Sequence, residues 1–303
     1  MTDKENTVGV ILTVFNGDKY LESAINSLLS QTHSNWILYV VENASVDDTK
    51  EILNLYSKDP RIKVKFLSKN IPRTYALNQG YKMLSSDIEY VMILDDDDIL
   101  EPSWIEQAVD FLNRERDIGV LGGWIHLIDE TGSKYNTICA PAYPKLINEM
   151  FAYTFPVAHS SLVFRKSVVD RIPGPYDTSV PIGQDWDLCI KLCAVTKICV
   201  LDKYSVGWRR YDQSITGNSS NFLVSRMDKL GNLTSGVRCA KSFKSYVKNR
   251  NRRGVENLAI ALLYFRDRNY LKFVYRVLLS IYQSPFAVLF NNNMSRIKNL
   301  YDC

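Results

Sequence analysis

The chain has 303 residues, 46% of them hydrophobic, and a formal net charge of +4. With 14 glycines and 10 prolines it fits neither a fibrous nor a disordered class, and no internal repeat or low-complexity tract is visible. Its six cysteines form no Cys-x-x-Cys pair and share no metal spacing with the three histidines, which argues for reduced core thiols in a cytosolic protein rather than a disulfide framework or a zinc site.

The start, Met1-Thr2-Asp3-Lys4-Glu5, is charged and runs straight into an apolar segment, so no secretory signal is expected. Strand and helix patterns then alternate. Val8–Val14 reads as a strand, and Tyr20–Ser30 has helical spacing through Leu21, Ala24, Ile25, Leu28 and Leu29. Trp36–Val41 is a second strand, followed by a polar turn and a helix over Asp47–Tyr56 that Asp47 or Asp48 can cap. Ile62–Leu67, Arg73–Leu84 and Tyr90–Leu94 continue as strand, helix and strand. Strands separated by helices of this length predict right-handed crossovers and a mainly parallel sheet flanked by helices.

The next stretch is less regular. Pro102–Asn113 reads as a helix, Gly119–Ile128 contains a strand with Trp124, and Ser160–Phe164 reads as a short strand. A turn at Ile172–Asp177 precedes a helix that begins at Gln184–Cys193, and from residue 216 onward the pattern is helical. No G-x-G-x-x-G or Walker loop follows the first strand, where the residues are Thr13-Val14-Phe15-Asn16-Gly17, so dehydrogenase and ATPase readings lose their main support.

Four consecutive aspartates, Asp95 to Asp98, stand directly behind the buried-strand pattern Tyr90-Val91-Met92-Ile93-Leu94. Ligands gather at the carboxyl ends of such strands, and four like charges there repel one another unless a cation offsets them. Hard oxygen donors point to a divalent cation, Mn²⁺ or Mg²⁺, carrying a phosphorylated ligand.

With these segments in order, the chain resembles the inverting family-2 glycosyltransferases of bacterial surface-polysaccharide type over roughly residues 8 to 216. Val10-Ile11-Leu12-Thr13-Val14-Phe15-Asn16 is similar to the family's first strand and turn. Val41 to Thr49 is similar to its second signature, with Glu42 where an acidic side chain accepts from the uracil imide, a position more often Asp. Asn70 to Gly80 resembles the segment in which Arg, Asn and Gly line a pyrophosphate pocket, here Arg73, Asn78 and Gly80. Leu94 to Asp98 matches the metal-binding D-x-D signature, and Gly183 to Leu188 the segment of the catalytic base.

The resemblance implies a nucleotide-diphospho-sugar transferase fold, an α/β architecture with a mixed, mainly parallel sheet and a C-terminal helical extension. It implies a catalytic domain at 1–216, divided into a nucleotide-binding half (1–100) and an acceptor-binding half (101–216), followed by the extension at 217–303. Thr13, Phe15, Asn16, Glu42, Asn43, Ser45, Arg73, Asn78, Asp95 and Asp96 would contact the nucleotide sugar, Asp95 taking the ribose and Asp97 the metal. Trp124, His159, Gln184 and Trp186 would face the acceptor, and Asp185 would be the base. Side-chain alternation along an extended segment turns Asp96 away from Asp95 and Asp97, with Asp98 in support. Two positions depart from the family: Gln184 stands where Glu is common, and Tyr211 stands where a metal-binding His is expected, leaving Asp212 or water for the metal and Arg209 or Arg210 for phosphate.

The residues alone leave alternatives. Arg73 serves equally as a fork for phosphate or as a surface ion pair. Asp185 can be a helix cap as well as a base. A nucleotidyltransferase shares metal-binding carboxylates but usually carries a Gly-rich basic loop after its first strand, which is absent here. A nucleic-acid-binding protein would use the tail, where residues 221–303 hold 15 Lys/Arg against 4 Asp/Glu, but it leaves the aspartates without a task. In that tail Leu271, Val274, Tyr275, Leu278 and Tyr282 share one helical face among Lys and Arg, a pattern suited to the anionic inner face of a cell membrane, with a helical lid or a dimer interface as the alternative. The expected partners are a UDP-sugar donor and a glycan or lipid-linked glycan acceptor.

Overall fold

The computed structural model describes residues 6–140, 157–172, 174–180 and 183–211. Its elements belong to one compact unit, Met1–Phe151 with Phe155–Arg209. The expected helical extension at 217–303 lies outside the described residues.

The first half alternates β1 (Val8–Val14), α1 (Leu21–Leu29), β2 (Trp36–Glu42), α2 (Thr49–Tyr56), β3 (Ile62–Phe66), α3 (Arg73–Met83) and β4 (Tyr90–Asp95). All seven residues of β1 are buried, as a strand covered on both faces requires. The second half contains β5 (Ile99–Leu100), α4 (Trp104–Arg114), β6 (Ile118–Ile128), β7 (Lys134–Ile138), a 3₁₀ turn (His159–Ser161), β8 (Val163–Arg165), α5 (Lys166–Val169), α6 (Gln184–Leu192) and β9 (Lys197–Arg209). One mixed sheet joins the strands in the order β3-β2-β1-β4-β8-β6-β9-β5, with β7 paired to β6.

Strands β1 to β4 are parallel, and the chain passes outward through β2 and β3 before returning to the other side of β1. The order therefore reverses between β1 and β4, the kind of switch point at which ligands bind in open α/β sheets. Register brings the acidic residues to that point: Thr13 pairs with Asp95 on one side of β1, and Val14 with Glu42 on the other. Only Asp96, Asp97 and Asp98 separate β4 from β5, although three strands lie between these two in the sheet. β8 pairs only with Tyr90 to Met92 of β4, so the carboxyl end of β4 extends beyond it.

The apolar stripes of α1 (Leu21, Ala24, Ile25, Leu28) and α4 (Trp104, Ile105, Ala108, Leu112) pack on one face of the sheet with Val10, Leu12 and Met92. On the opposite face α3 lies against β1, and Gly80 permits the approach, because a Cβ there would overlap the Ile11 side chain. Gly80, expected at the pyrophosphate, instead serves helix–sheet packing.

Two expectations need correction. The stretch read as a strand from Ser160 is a 3₁₀ turn, and extended structure begins at Val163. β9 has no counterpart among the predicted elements, because Asp202 and Lys203 interrupt its apolar pattern. Both fall where the β6–β9 register jumps from Gly123↔Leu201 to Trp124↔Tyr204.

Candidate active site

The loops after β1 and β2 interlock. Asn16 N–H donates to Ser45 Oγ at 3.0 Å, and Val46 N–H donates to Asn16 Oδ1 at 3.0 Å. Asn16 and Ala44 are the two non-glycine residues with positive φ among those described, 55° and 62°. Asn tolerates this region, whereas Ala44 stores about 1 kcal/mol of strain that the surrounding bonds must hold. Gly17 N–H reaches Thr49 Oγ1 at 2.9 Å, and Asp47 Oδ1 accepts from Thr49 N–H at 3.2 Å, so Asp47 rather than Asp48 supplies the capping carboxylate of α2.

Glu42 lies inside this frame with no exposed surface. Its Oε1 accepts from Ser45 N–H at 2.5 Å, while its Oε2 is buried without a partner. A buried carboxylate oxygen left unpaired costs free energy and is complemented only by a donor from elsewhere. Thr13 is buried beside Asp95 in the sheet register, while Phe15 is 46% exposed and offers apolar surface at the end of β1.

The acidic segment forms a turn, closed by Asp98 N–H donating to Asp95 C=O at 3.2 Å. The strand ends at Asp95, so the expected alternation does not continue through Asp96. Asp96 is directed against the β1–α1 turn instead, where a Cβ on Gly17 would overlap its carboxylate. Arg73, the first residue of α3, pairs with Asp95 through Nη2. Asp95 chiefly, with Asp96, Asp97 and Asp185, drives the guanidinium's proton affinity up against the effect of burial. One guanidinium does not balance these carboxylates: burial, then Asp97, push the Asp96 carboxyl up to about 8.

Asp185 lies in the first turn of α6, entered through Gly183 at φ 80°, and its Oδ1 accepts from Trp186 N–H at 2.8 Å. Its charge acts on Arg73 and on His159. His159 is 5% exposed; its Nε2 lies 2.9 Å from the Tyr176 hydroxyl, and its Nδ1 is buried without a partner. Burial holds the imidazole below its ordinary value, although Asp95 and Asp185 pull the other way. Gln184, partly buried, opens α6 beside Asp185.

Other expected residues have different tasks. The Asn43 amide is spent on the Ile71 backbone, donating to its C=O at 2.8 Å and accepting from its N–H at 2.9 Å. Asn78 does the same for Tyr176, at 2.7 and 3.2 Å, and so fixes the segment leading to Asp185. Both side chains position loops, each through one N–H and one carbonyl lone pair. Trp186 is 3% exposed and belongs to the core, so it offers no face for stacking on a sugar. Trp124 donates from its indole to Ala140 C=O at 3.0 Å and packs edge-on against Tyr204, which in turn stacks on His126. Arg209 is buried, and its guanidinium is committed to the carbonyls of Asp97, Asp129 and Glu130 at 2.8 to 2.9 Å, which removes it as a phosphate ligand. Tyr211 is the last described residue, and Asp212 lies outside the described residues. Tyr176 had no signal in the sequence beyond its turn.

Among the described residues no three His, Cys, Asp or Glu side chains converge as a ready cation cage. The oxygen-only donor set and its excess of negative charge nevertheless fit a divalent cation completed by a ligand's own oxygens.

Known proteins share the family and the fold of this chain. An uncharacterised glycosyltransferase of Haemophilus influenzae is 29% identical over 188 residues, 59% of this chain and 58% of that protein, so the match spans little more than half of the relative. TuaG of Bacillus subtilis, named as a teichuronic acid biosynthesis glycosyltransferase, is 33% identical over 113 residues, 37% of this chain and 44% of its own. The fold is that of Staphylococcus aureus TarS residues 1–349, solved with UDP-GlcNAc, at a TM-score of 0.60 and 17% identity over 92% of both chains. The family described as glycosyl transferase family 2 matches residues 9–172, more than half of the sequence. The chain thus belongs to glycosyltransferase family 2.

Proposed function

We propose that this enzyme moves one sugar from a UDP-sugar to a hydroxyl of a growing glycan, by a single displacement that inverts the anomeric carbon. The carrying observation is that Arg73 pairs with Asp95 at the switch point of the sheet, within reach of the charges of Asp96, Asp97 and Asp185. Glu42 Oε2 accepts the imide N–H of uracil, Phe15 covers the base, and Asp95 takes the ribose. Arg73 turns from its carboxylate partner toward the diphosphate. Asp97 would hold the divalent cation, Mn²⁺ or Mg²⁺, which when bound neutralises charge on the leaving diphosphate. Asp185 accepts the proton of the acceptor hydroxyl as its oxygen bonds to the anomeric carbon, and the electron pair of the broken C–O bond leaves with UDP. His159 and Gln184 border the acceptor.

The likeness to TuaG supports a surface-polysaccharide acceptor. The basic tail supports a lipid-linked one at the inner membrane face, and no helix among the described residues is long and apolar enough to span a bilayer. The test is a donor screen with Mn²⁺ that reads UDP release with and without acceptor. Wild type should release UDP from one nucleotide sugar, and Asp185→Asn should lose about 10²–10⁴-fold in rate while still binding UDP. Full transfer by Asp185→Asn refutes the assignment of the base.

A further inference from the structure

We propose that Ser160 and Asp98 are positioning residues for the acidic turn, locking the carboxylates that face the donor diphosphate to the end of β9. This rests on the donor reading above and adds to it two residues that do not touch the donor.

β8 pairs with β4 only as far as Met92, so the backbone N–H of Asp95 has no strand partner on that side. The 3₁₀ turn that interrupts the extended segment at His159–Ser161 supplies one, since Asp95 N–H donates to Ser160 Oγ at 3.1 Å. The same hydroxyl donates to Asp98 Oδ2 at 2.6 Å, so its proton and one lone pair are both committed. Asp98 is 1% exposed, and its other oxygen, Oδ1, accepts from Arg209 N–H at 3.1 Å. Arg209 closes the circuit, as its Nε donates to Asp97 C=O at 2.8 Å and its guanidinium lies over the Tyr20 ring at 4.4 Å.

The circuit runs Asp95, Ser160, Asp98, Arg209, Asp97, and it grips the turn from three sides. Asp95 is held at its N–H, Asp97 at its C=O, and the connecting Asp98 through both carboxylate oxygens. Asp96 and Asp97 are therefore presented by a backbone that is fixed independently of any ligand, which is the arrangement expected of groups that orient metal-facing carboxylates. Removing the Ser160 hydroxyl unpairs Asp95 N–H and leaves Asp98 buried with one donor fewer, so the turn relaxes toward other geometries.

The experiment measures UDP binding in the presence of MnCl₂ by titration calorimetry on the full chain, together with thermal melting. Ser160→Ala and Asp98→Asn should each weaken UDP by about 10- to 100-fold and raise the Mn²⁺ concentration needed for half-maximal binding. Ser161→Ala is the control. Its hydroxyl is equally buried and donates to Ala158 C=O at 2.7 Å, so it should lose comparable melting temperature while keeping UDP affinity within about twofold. Ser160→Thr, which retains the hydroxyl, should recover most of the affinity and keeps the test open if the alanine variant fails to fold. Unchanged UDP affinity in Ser160→Ala, or an equal loss in Ser161→Ala, overturns the inference. If wild type binds no UDP, the donor reading falls by itself. The positioning role is then judged from Mn²⁺ alone by electron paramagnetic resonance, where Ser160→Ala must still bind more weakly.

Discussion

Replacing Glu42 by Gln should move stability and ligand affinity in opposite directions. The Glu42 carboxylate is fully buried, with Oε1 bonded to Ser45 N–H and Oε2 facing no partner. Glu42→Gln can keep its amide oxygen on Ser45 and place a neutral NH₂ where the unpaired charged oxygen was, at almost unchanged volume. The NH₂ is as unpaired there as the oxygen was, but an unpaired buried charge costs more than an unpaired neutral group, so loss of the charge should raise the free energy of unfolding by about 1 kcal/mol. With UDP the amide presents a donor to the imide N–H, also a donor. The lost charged hydrogen bond, about 1.5–3 kcal/mol, corresponds to roughly a 10- to 150-fold weaker Kd. Urea denaturation read beside calorimetric UDP titration separates the two effects. A variant that is destabilised and binds UDP as tightly as wild type would show that Glu42 is a structural carboxylate and refute the base-recognition argument.

Three other perturbations test the remaining geometry. Gly17→Ala places a Cβ against the Asp96 carboxylate, and should cost about 1–3 kcal/mol in chemical denaturation and weaken UDP binding, whereas unchanged affinity would mean that Asp96 takes no part. Trp186→Phe should lower stability by about 1–3 kcal/mol and leave the acceptor KM within about twofold, and a tenfold rise in KM would restore the sugar-stacking role. His159 is held below its ordinary value of 6.5, chiefly by burial, so the unfolded chain binds the extra proton first as pH falls. Its contribution should therefore be complete above about pH 6.5 and be lost below it, and His159→Gln should flatten the acid limb of stability against pH. An equally steep limb in the variant would assign the loss to other groups.

The nucleotide half was readable because its signals are local. β1, β2, β3 and β4 are apolar runs separated by amphipathic helices, and their parallel order follows from the crossovers those helices require. The second half is built from pairings between residues far apart. β9 meets β6 across a register jump, and Ser160 meets Asp98 across 62 positions, while Arg209 meets it across 111. No spacing rule reaches such contacts. The same distinction separates the site residues: Glu42 and Asp95 were legible as strand-end carboxylates, while Asn43, Asn78 and Trp186 had plausible motifs whose tasks only tertiary neighbours decide.

The aspartate quartet shows why identical neighbours acquire different work. Strand geometry assigns alternate sides only while the strand lasts, and here it lasts to Asp95. One residue later the Asp98-to-Asp95 hydrogen bond closes a turn, and Asp96 is brought toward the site rather than away from it. Asp98 completes the division by leaving solvent altogether, its oxygens taken by Ser160 and Arg209. Burying that carboxylate raises its proton affinity well above the ordinary value, a cost that its two donors only partly offset. A carboxylate held at such cost is better explained by the geometry it imposes on Asp95 and Asp97 than by stability. The prediction follows that Asp98→Asn will lose donor binding out of proportion to any loss in melting temperature.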